Sequence, residues 1–97
     1  MTTNGALVRD NADELRYELV VDGTIAGEIR YHRAEDRVAL MHVEVDRALQ
    51  GRGLGSELMA GALDDIRARG LRAVPVCPFA VAYVRRHPEY ADIVVAG

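Results

Sequence analysis

Gln50-Gly51-Arg52-Gly53-Leu54-Gly55 separates two different hydrophobic periods. Ahead of it runs Val38-Ala39-Leu40-Met41-His42-Val43-Glu44-Val45, an apolar stretch rich in β-branched residues that reads as a strand. Behind it Leu54, Leu58, Ala62 and Ile66 recur at helical spacing, with Met59 and Leu63 widening the stripe. The glycines therefore stand where a strand hands over to a helix. Such a junction aims several backbone N–H groups, and the positive end of the helix dipole, at one point. Glycine lets the main chain take positive φ there and come close to a ligand. The product is an anion site, and phosphate is its natural ligand.

Elimination narrows the kind of phosphate ligand. A P-loop ends in Gly-Lys-Ser/Thr, whereas Gly55 is followed by Ser56-Glu57 and the sequence contains no lysine. A Rossmann fingerprint needs a third glycine three places after Gly53, where Ser56 stands, and it follows the first strand of its domain. Here three strand-like segments come first. The pattern Gln/Arg-x-x-Gly-x-Gly/Ala, met by Gln50, Gly53 and Gly55, resembles the pyrophosphate-binding signature of the GNAT superfamily of acyl-CoA-dependent N-acyltransferases.

Working outward, Leu15, Tyr17, Leu19 and Val21 alternate with Arg16 and Glu18, the period of a half-buried strand. Asp22-Gly23 is a two-residue hairpin signal, and Ile25, Gly27, Ile29 and Tyr31 alternate beyond it. Ala34-Glu35-Asp36 makes the next turn, into the strand over 38–45. A short strand is expected around Ala6–Val8, after a ragged terminus over residues 1–6. The central helix should run from about Gly53 to Arg69 and stop at Gly70, with Arg67 and Arg69 in its last turn. Leu71–Val76 reads as a buried strand and Phe79–Arg86 as a short helix opened by Pro78 and ended before Pro88. Ile93-Val94-Val95 is either a last strand or a packed tail. The expected class is α+β, with a parallel strand–helix–strand connection from 38 to 76. This order resembles a minimal GNAT fold, in which a mixed, mostly antiparallel sheet carries a long central helix and a short C-terminal helix.

Ninety-seven residues suffice for one domain, 1–97, and 49% apolar residues suffice for one core. With one Phe and no Trp that core is aliphatic. The lone Cys77 excludes an intrachain disulfide and suits a reducing, cytoplasmic setting. No signal-peptide pattern and no apolar run of membrane-spanning length is visible, so no membrane partner is expected. Twelve basic residues against 15 acidic ones argue against a general nucleic-acid binder.

A second segment, Val76-Cys77-Pro78-Phe79 with Tyr83-Val84-Arg85-Arg86-His87-Pro88-Glu89-Tyr90, resembles the C-terminal part of a small single-domain GNAT subfamily. That subfamily also carries His-x-Glu-Val before its glycines, met by His42-Val43-Glu44-Val45. The resemblance spans roughly Leu15 to Val94 and implies an N-acetyltransferase using acetyl-CoA, with no metal. It implies that Gly51, Arg52, Gly53, Leu54, Gly55 and Ser56, with Gln50, hold the CoA pyrophosphate. Arg52 either adds a phosphate contact or is a solvated arginine. Val43 and Val45 would lie along the pantetheine arm, on a strand splayed from the next one. It places Cys77 beside the thioester, as acyl acceptor, proton relay or packing group. Tyr83 would protonate the departing thiolate or serve as a core aromatic. His42 and Glu44 share a strand face and are either the base for the amine or a strand-edge polar pair. His87 caps or packs at the helix end, and His32 reads as exposed.

The sheet begins almost at the N-terminus, and little chain follows residue 90. The acceptor side is therefore expected to be open. Small-molecule sites bury roughly 70–90% of their ligand, so a protein or peptide amine is the expected acceptor, taken by a monomer or weak dimer. The alternative from another class is a non-catalytic acyl-CoA-binding or interaction domain.

Overall fold

The computed structural model describes residues 6–96. Five strands, β1 (Ala6–Asn11), β2 (Arg16–Val21), β3 (Thr24–Ala34), β4 (Arg37–Val45) and β5 (Arg72–Pro75), form one sheet in the order β1-β2-β3-β4-β5. All neighbours are antiparallel except β4 and β5, which run parallel. Helix α1 (Leu54–Ala68) makes the crossover between those two, and α2 (Pro78–Arg86) follows β5. The architecture is the expected α+β arrangement. The ragged terminus lies outside the described residues except for Ala6, which already opens a β1 longer than the short strand anticipated. Of the two readings of Ile93-Val94-Val95 it is the packed tail that the structure shows, joined by one parallel bridge, Ala73 to Val94.

Local chemistry sets these elements. Asp22 and Gly23 both take positive φ (51° and 83°), the turn whose twist matches a two-residue hairpin. On α1, Leu58, Met59, Ala62, Leu63 and Ile66 are fully buried in one cluster with Tyr17, Leu19, Ile29, Val38 and Leu40. Each Leu, Ile or Met so buried stabilises by roughly 1.5–3 kcal/mol before entropy is counted. Gly61 lets the helix lie directly on β1, since a Cβ there would stand 2.5 Å from Val8 Cγ2.

Two bulges break the alternation read from the sequence. Leu19 pairs with Gly27 and Val20 with Ile25, which leaves Ala26 as an extra residue in β3. Ala26 turns inward and Ile25, expected inside, turns out to solvent. Likewise Arg30 pairs with His42 and Tyr31 with Leu40, which leaves Met41 extra in β4. Leu15 is a further departure: it precedes β2 at φ 54° with its side chain half exposed, held in a turn by its N–H to the Ala12 carbonyl.

Glu18 was expected on the polar side of a half-buried strand, yet it is completely buried. Asn11 Nδ2 (2.9 Å), Arg16 Nε (2.8 Å) and Arg9 Nε (2.9 Å) all donate to its carboxylate. The side chains of Arg9 and Arg16 thus cover a charge that helices leave open to water on this face of the sheet. The Asn11 bond, then those from Arg16 and Arg9, outweigh the cost of burial and pull the carboxyl down to about 2.

Candidate active site

The turn after β4 is built to present backbone. Asp46 Oδ1 accepts the Ala48 N–H at 2.9 Å and starts a short helical turn over Arg47–Leu49. Gln50 Nε2 donates to the Val45 carbonyl at 3.3 Å and ties the loop back to the end of the strand. Gly51 (φ 89°) and Gly53 (φ 75°) then take left-handed conformations that carry the chain into α1. The cap residue Gly53 has no side chain to accept the first helical N–H groups. The first bond back to the cap is from Glu57 N to Gly53 O at 3.1 Å, so helix geometry leaves the amides of Leu54, Gly55 and Ser56 to face a ligand or solvent.

Beside that turn the sheet opens. Pairing of β4 with β5 runs from Arg37–Arg72 to Leu40–Pro75 and stops. The Leu40 carbonyl takes both the Val76 N–H (3.1 Å) and the Cys77 N–H (3.2 Å), and the chain then turns away into α2 at Pro78. Pro75 has no N–H with which to extend the ladder. β4 continues to Val45 with every second backbone group facing the gap. The resulting groove, about 360 Å³, is lined by Val43, Val45, Leu49 and Leu54 and by the glycine turn. Phe79 closes one end: a Cβ on Gly55 would stand 3.1 Å from its Cζ.

The Met41 bulge decides which residues face this groove. Strict alternation after Leu40 would turn His42 and Glu44 toward the core. With one residue inserted, Val43 and Val45 take the groove side and His42 and Glu44 the opposite one. There His42 Nε2 lies 3.3 Å from Glu44 Oε2, and their side chains are 56% and 66% exposed. A second hollow of about 420 Å³ lies on the strand end, lined by Glu44, Asp46 and Arg47 and sharing Val43, Val45 and Gln50 with the groove.

The tyrosines fall into two kinds. Tyr17 donates its hydroxyl to Asp65 (2.7 Å), Tyr31 to Asp10 (2.6 Å) and Tyr90 to Asp64 (2.8 Å). The Tyr83 hydroxyl has no hydrogen-bond partner among the described residues. Burial, with Glu89 and Asp64 nearby, raises its pKa above the ordinary phenol value. Tyr83 lines a cavity of about 140 Å³ with Ala82, Arg86 and His87, and the cavity shares Ser56 and Phe79 with the groove.

The sequence matches the family model of the GCN5-related N-acetyl-transferases over residues 16–93. The chain belongs to that family. Its reaction is transfer of an acetyl group from acetyl-CoA to an amine nitrogen. A GCN5-like protein from Staphylococcus aureus shares the fold with a TM-score of 0.71, 19% identity, and 99% and 93% of the two chains covered. A GNAT-family acetyltransferase from Brucella melitensis, solved with acetyl-CoA, gives a TM-score of 0.60 at 27% identity over 77% of this chain and 53% of that one. A ribosomal-protein-alanine N-acetyltransferase from Brucella melitensis gives 0.59 at 18% identity, covering 84% and 62%. The chain therefore spans about half to three-fifths of the length of these two Brucella enzymes. No curated protein sequence matches closely enough to count as a relative.

Against the sequence-based expectations, this acetyltransferase brings Val43, Val45, Gln50, Gly51, Gly53, Leu54, Gly55 and Ser56 to one groove. Arg52 instead lines a separate hollow with Asp22 and Glu57, on the β1 side of the loop. Cys77 is buried in the core cluster at the foot of α2 and is absent from the groove lining. The fold adds Leu49 and Phe79 to the groove, outside the glycine motif and the His42–Val45 segment. Phe79 carries a signal in the sequence, since it is the only phenylalanine and lies next to a proline that starts a helix. Among the described residues no cluster of side chains could hold a metal ion, and no helix is long and apolar enough to cross a membrane.

Proposed function

We propose that the two hollows flanking the end of β4 are the two substrate sites, with acetyl-CoA in the groove and the acceptor amine on the His42–Glu44 side. The observation that carries this reading is the divergence of β4 from β5 past Leu40, which leaves strand backbone open next to an amide-lined turn. The groove fits the cosubstrate at both ends. Free amides of α1 and the positive-φ glycines suit a pyrophosphate, and Val43, Val45, Leu49 and Phe79 suit an extended pantetheine arm. Acetyl-CoA supplies an activated acyl group.

Every other contribution comes from the chain. Backbone N–H groups of β4 that face the gap would polarise the acyl carbonyl, and the paired groove walls would hold it in place. Glu44, which lines the outer hollow, takes the proton of the attacking amine, directly or through water, with His42 as its partner at 3.3 Å. The Tyr83 phenol is protonated at neutral pH, burial only raising its pKa further, and its hydroxyl is free to give that proton to the departing thiolate, which leaves as the CoA thiol. Cys77 packs under α2, so transfer is direct and needs no acyl-enzyme.

The acceptor is an amine on a peptide or protein. His42 and Glu44 are more than half exposed, and a site this open cannot enclose a small metabolite. The protein acts as a single domain in the cytoplasm, where its lone cysteine stays reduced. Turnover of acetyl-CoA should be compared on lysine peptides, peptide N-termini, free amino acids and polyamines, with the mass in solution measured alongside. Peptide turnover by a monomer is expected. Efficient turnover of a free polyamine by a monomer would overturn the acceptor assignment, and acetyl-CoA binding with no turnover on any amine would make this a binding domain.

A further inference from the structure

His87 plays no part in the scheme above, yet it is the residue most closely fitted to Tyr83. Their rings stack with centroids 3.8 Å apart and planes within 13°. The same imidazole reaches the main chain of the residue it covers, with Nδ1 2.8 Å from the Tyr83 carbonyl oxygen. That oxygen can only accept, so Nδ1 carries the proton and donates. The carbonyl belongs to the last turn of α2, where helix geometry leaves it without an intrahelical partner. One side chain therefore caps the helix and covers the tyrosine ring.

The clamp is itself held. The His87 N–H bonds to the Val84 carbonyl at 3.4 Å, and its own carbonyl accepts from Tyr90 at 3.1 Å. Pro88 follows and prevents the helix from continuing. Near the same tyrosine stands Tyr90, its ring tilted 38° at 6.4 Å and its hydroxyl bound to Asp64 of α1. The Tyr83 ring thus cannot leave its rotamer without losing the stack on an imidazole anchored to Tyr83's own backbone.

The geometry points to His87 as a positioning residue, one that fixes the Tyr83 phenol by stacking so that its unbound hydroxyl stays at the cavity that shares Ser56 and Phe79 with the groove. This rests on Tyr83 as proton donor, and the tests separate the two. Aromatic NMR on the whole protein reads the first point without any acceptor. Tyr83 should show a single side-chain rotamer with ring signals shifted upfield by the imidazole, and His87→Ala should give rotamer averaging. An unchanged Tyr83 rotamer in His87→Ala overturns the inference.

Kinetics with acetyl-CoA and a lysine peptide reads the second. His87→Ala should lower kcat by roughly ten- to a hundredfold, the cost that a misplacement on the order of 1 Å can bring, with KM for acetyl-CoA unchanged. His87→Phe, which keeps a ring to stack, should recover most of that loss. In a Tyr83→Phe background His87→Ala should cost almost nothing more. A full additional loss in that background, or a rise in KM without a fall in kcat, overturns the positioning role. Full activity of Tyr83→Phe alone would instead overturn the proton-donor reading.

Discussion

Glu18→Gln removes a buried charge while leaving its shape, and its effect on stability can be worked out from the groups around it. The carboxyl lies at about 2 in the folded protein against an ordinary value of 4.5. At about 1.36 kcal/mol per unit, that difference sets a ceiling of about 3 kcal/mol on the stability the ionised group supplies. Arg9, one of the three donors, is 55% exposed, so solvent screens its share. A figure of about 2 kcal/mol is then reasonable, a sizeable part of the roughly 5–15 kcal/mol that holds a typical domain together. The folded-state value is depressed, so the contribution is complete above the unfolded value near 4.5 and drains away as pH falls from there toward 2. Urea unfolding of both proteins at steps between pH 7 and pH 2.5 should show Glu18→Gln less stable by about 2 kcal/mol at neutral pH, with the gap closing below pH 4.5. A gap that stays constant with pH would refute the idea that three donors hold this charge in the ionised form.

Gly53→Val forces a β-branched side chain into φ 75°, and Gly55→Glu places a carboxylate where phosphates should sit, against Phe79; calorimetry should find CoA binding lost in both, and unchanged affinity would remove the site from this loop. Cys77→Ala should keep both CoA affinity and most of the turnover, with no acetyl adduct on Cys77 by mass spectrometry of the wild-type protein. Loss of turnover at unchanged affinity would restore the thiol to the chemistry. Gly61→Ala gains roughly 1 kcal/mol of helix propensity, but its Cβ would stand 2.5 Å from Val8. Overpacking at roughly 1–3 kcal/mol should win, giving a lower midpoint in urea and unchanged CoA affinity in the folded protein.

Much of the fold was legible because its signals are periodic. The stripe from Leu54 to Ile66 reads as a one-sided helix, and the glycines before it read as a turn at its start. Pro78 marks where α2 begins, but the strand before it reads as Leu71–Val76 and ends one residue earlier, at Pro75, and the consequence, a gap beside β4, needs the partner strand to be seen. What stayed hidden has no periodic trace. Ala26 and Met41 are ordinary strand residues, and nothing in their identity announces that each is one residue too many for its partner. Glu18 looked like half of an alternation because two of its three donors, Arg9 and Asn11, come from β1, which only the fold places beside it; Arg16 sits two residues away on the same strand. The free hydroxyl of Tyr83 was illegible for the same reason, since its three counterparts are distinguished only by carboxylates distant in sequence.

The hidden features nonetheless decide the chemistry. Leu40, His42 and Glu44 share one parity, so an unbroken β4 would bury an imidazole and a carboxylate beneath the helices, and turn Val43 and Val45 to water. Burying that pair would cost several kcal/mol per charge. The sequence of β4 is therefore consistent with its surroundings only if a residue is inserted between Leu40 and His42, which is where Met41 stands. The bulge also falls at the level where pairing with β5 ends. One inserted residue thus gives apolar side chains to the groove and titratable ones to the open side, at the point where the two sides of the strand come into contact through the gap.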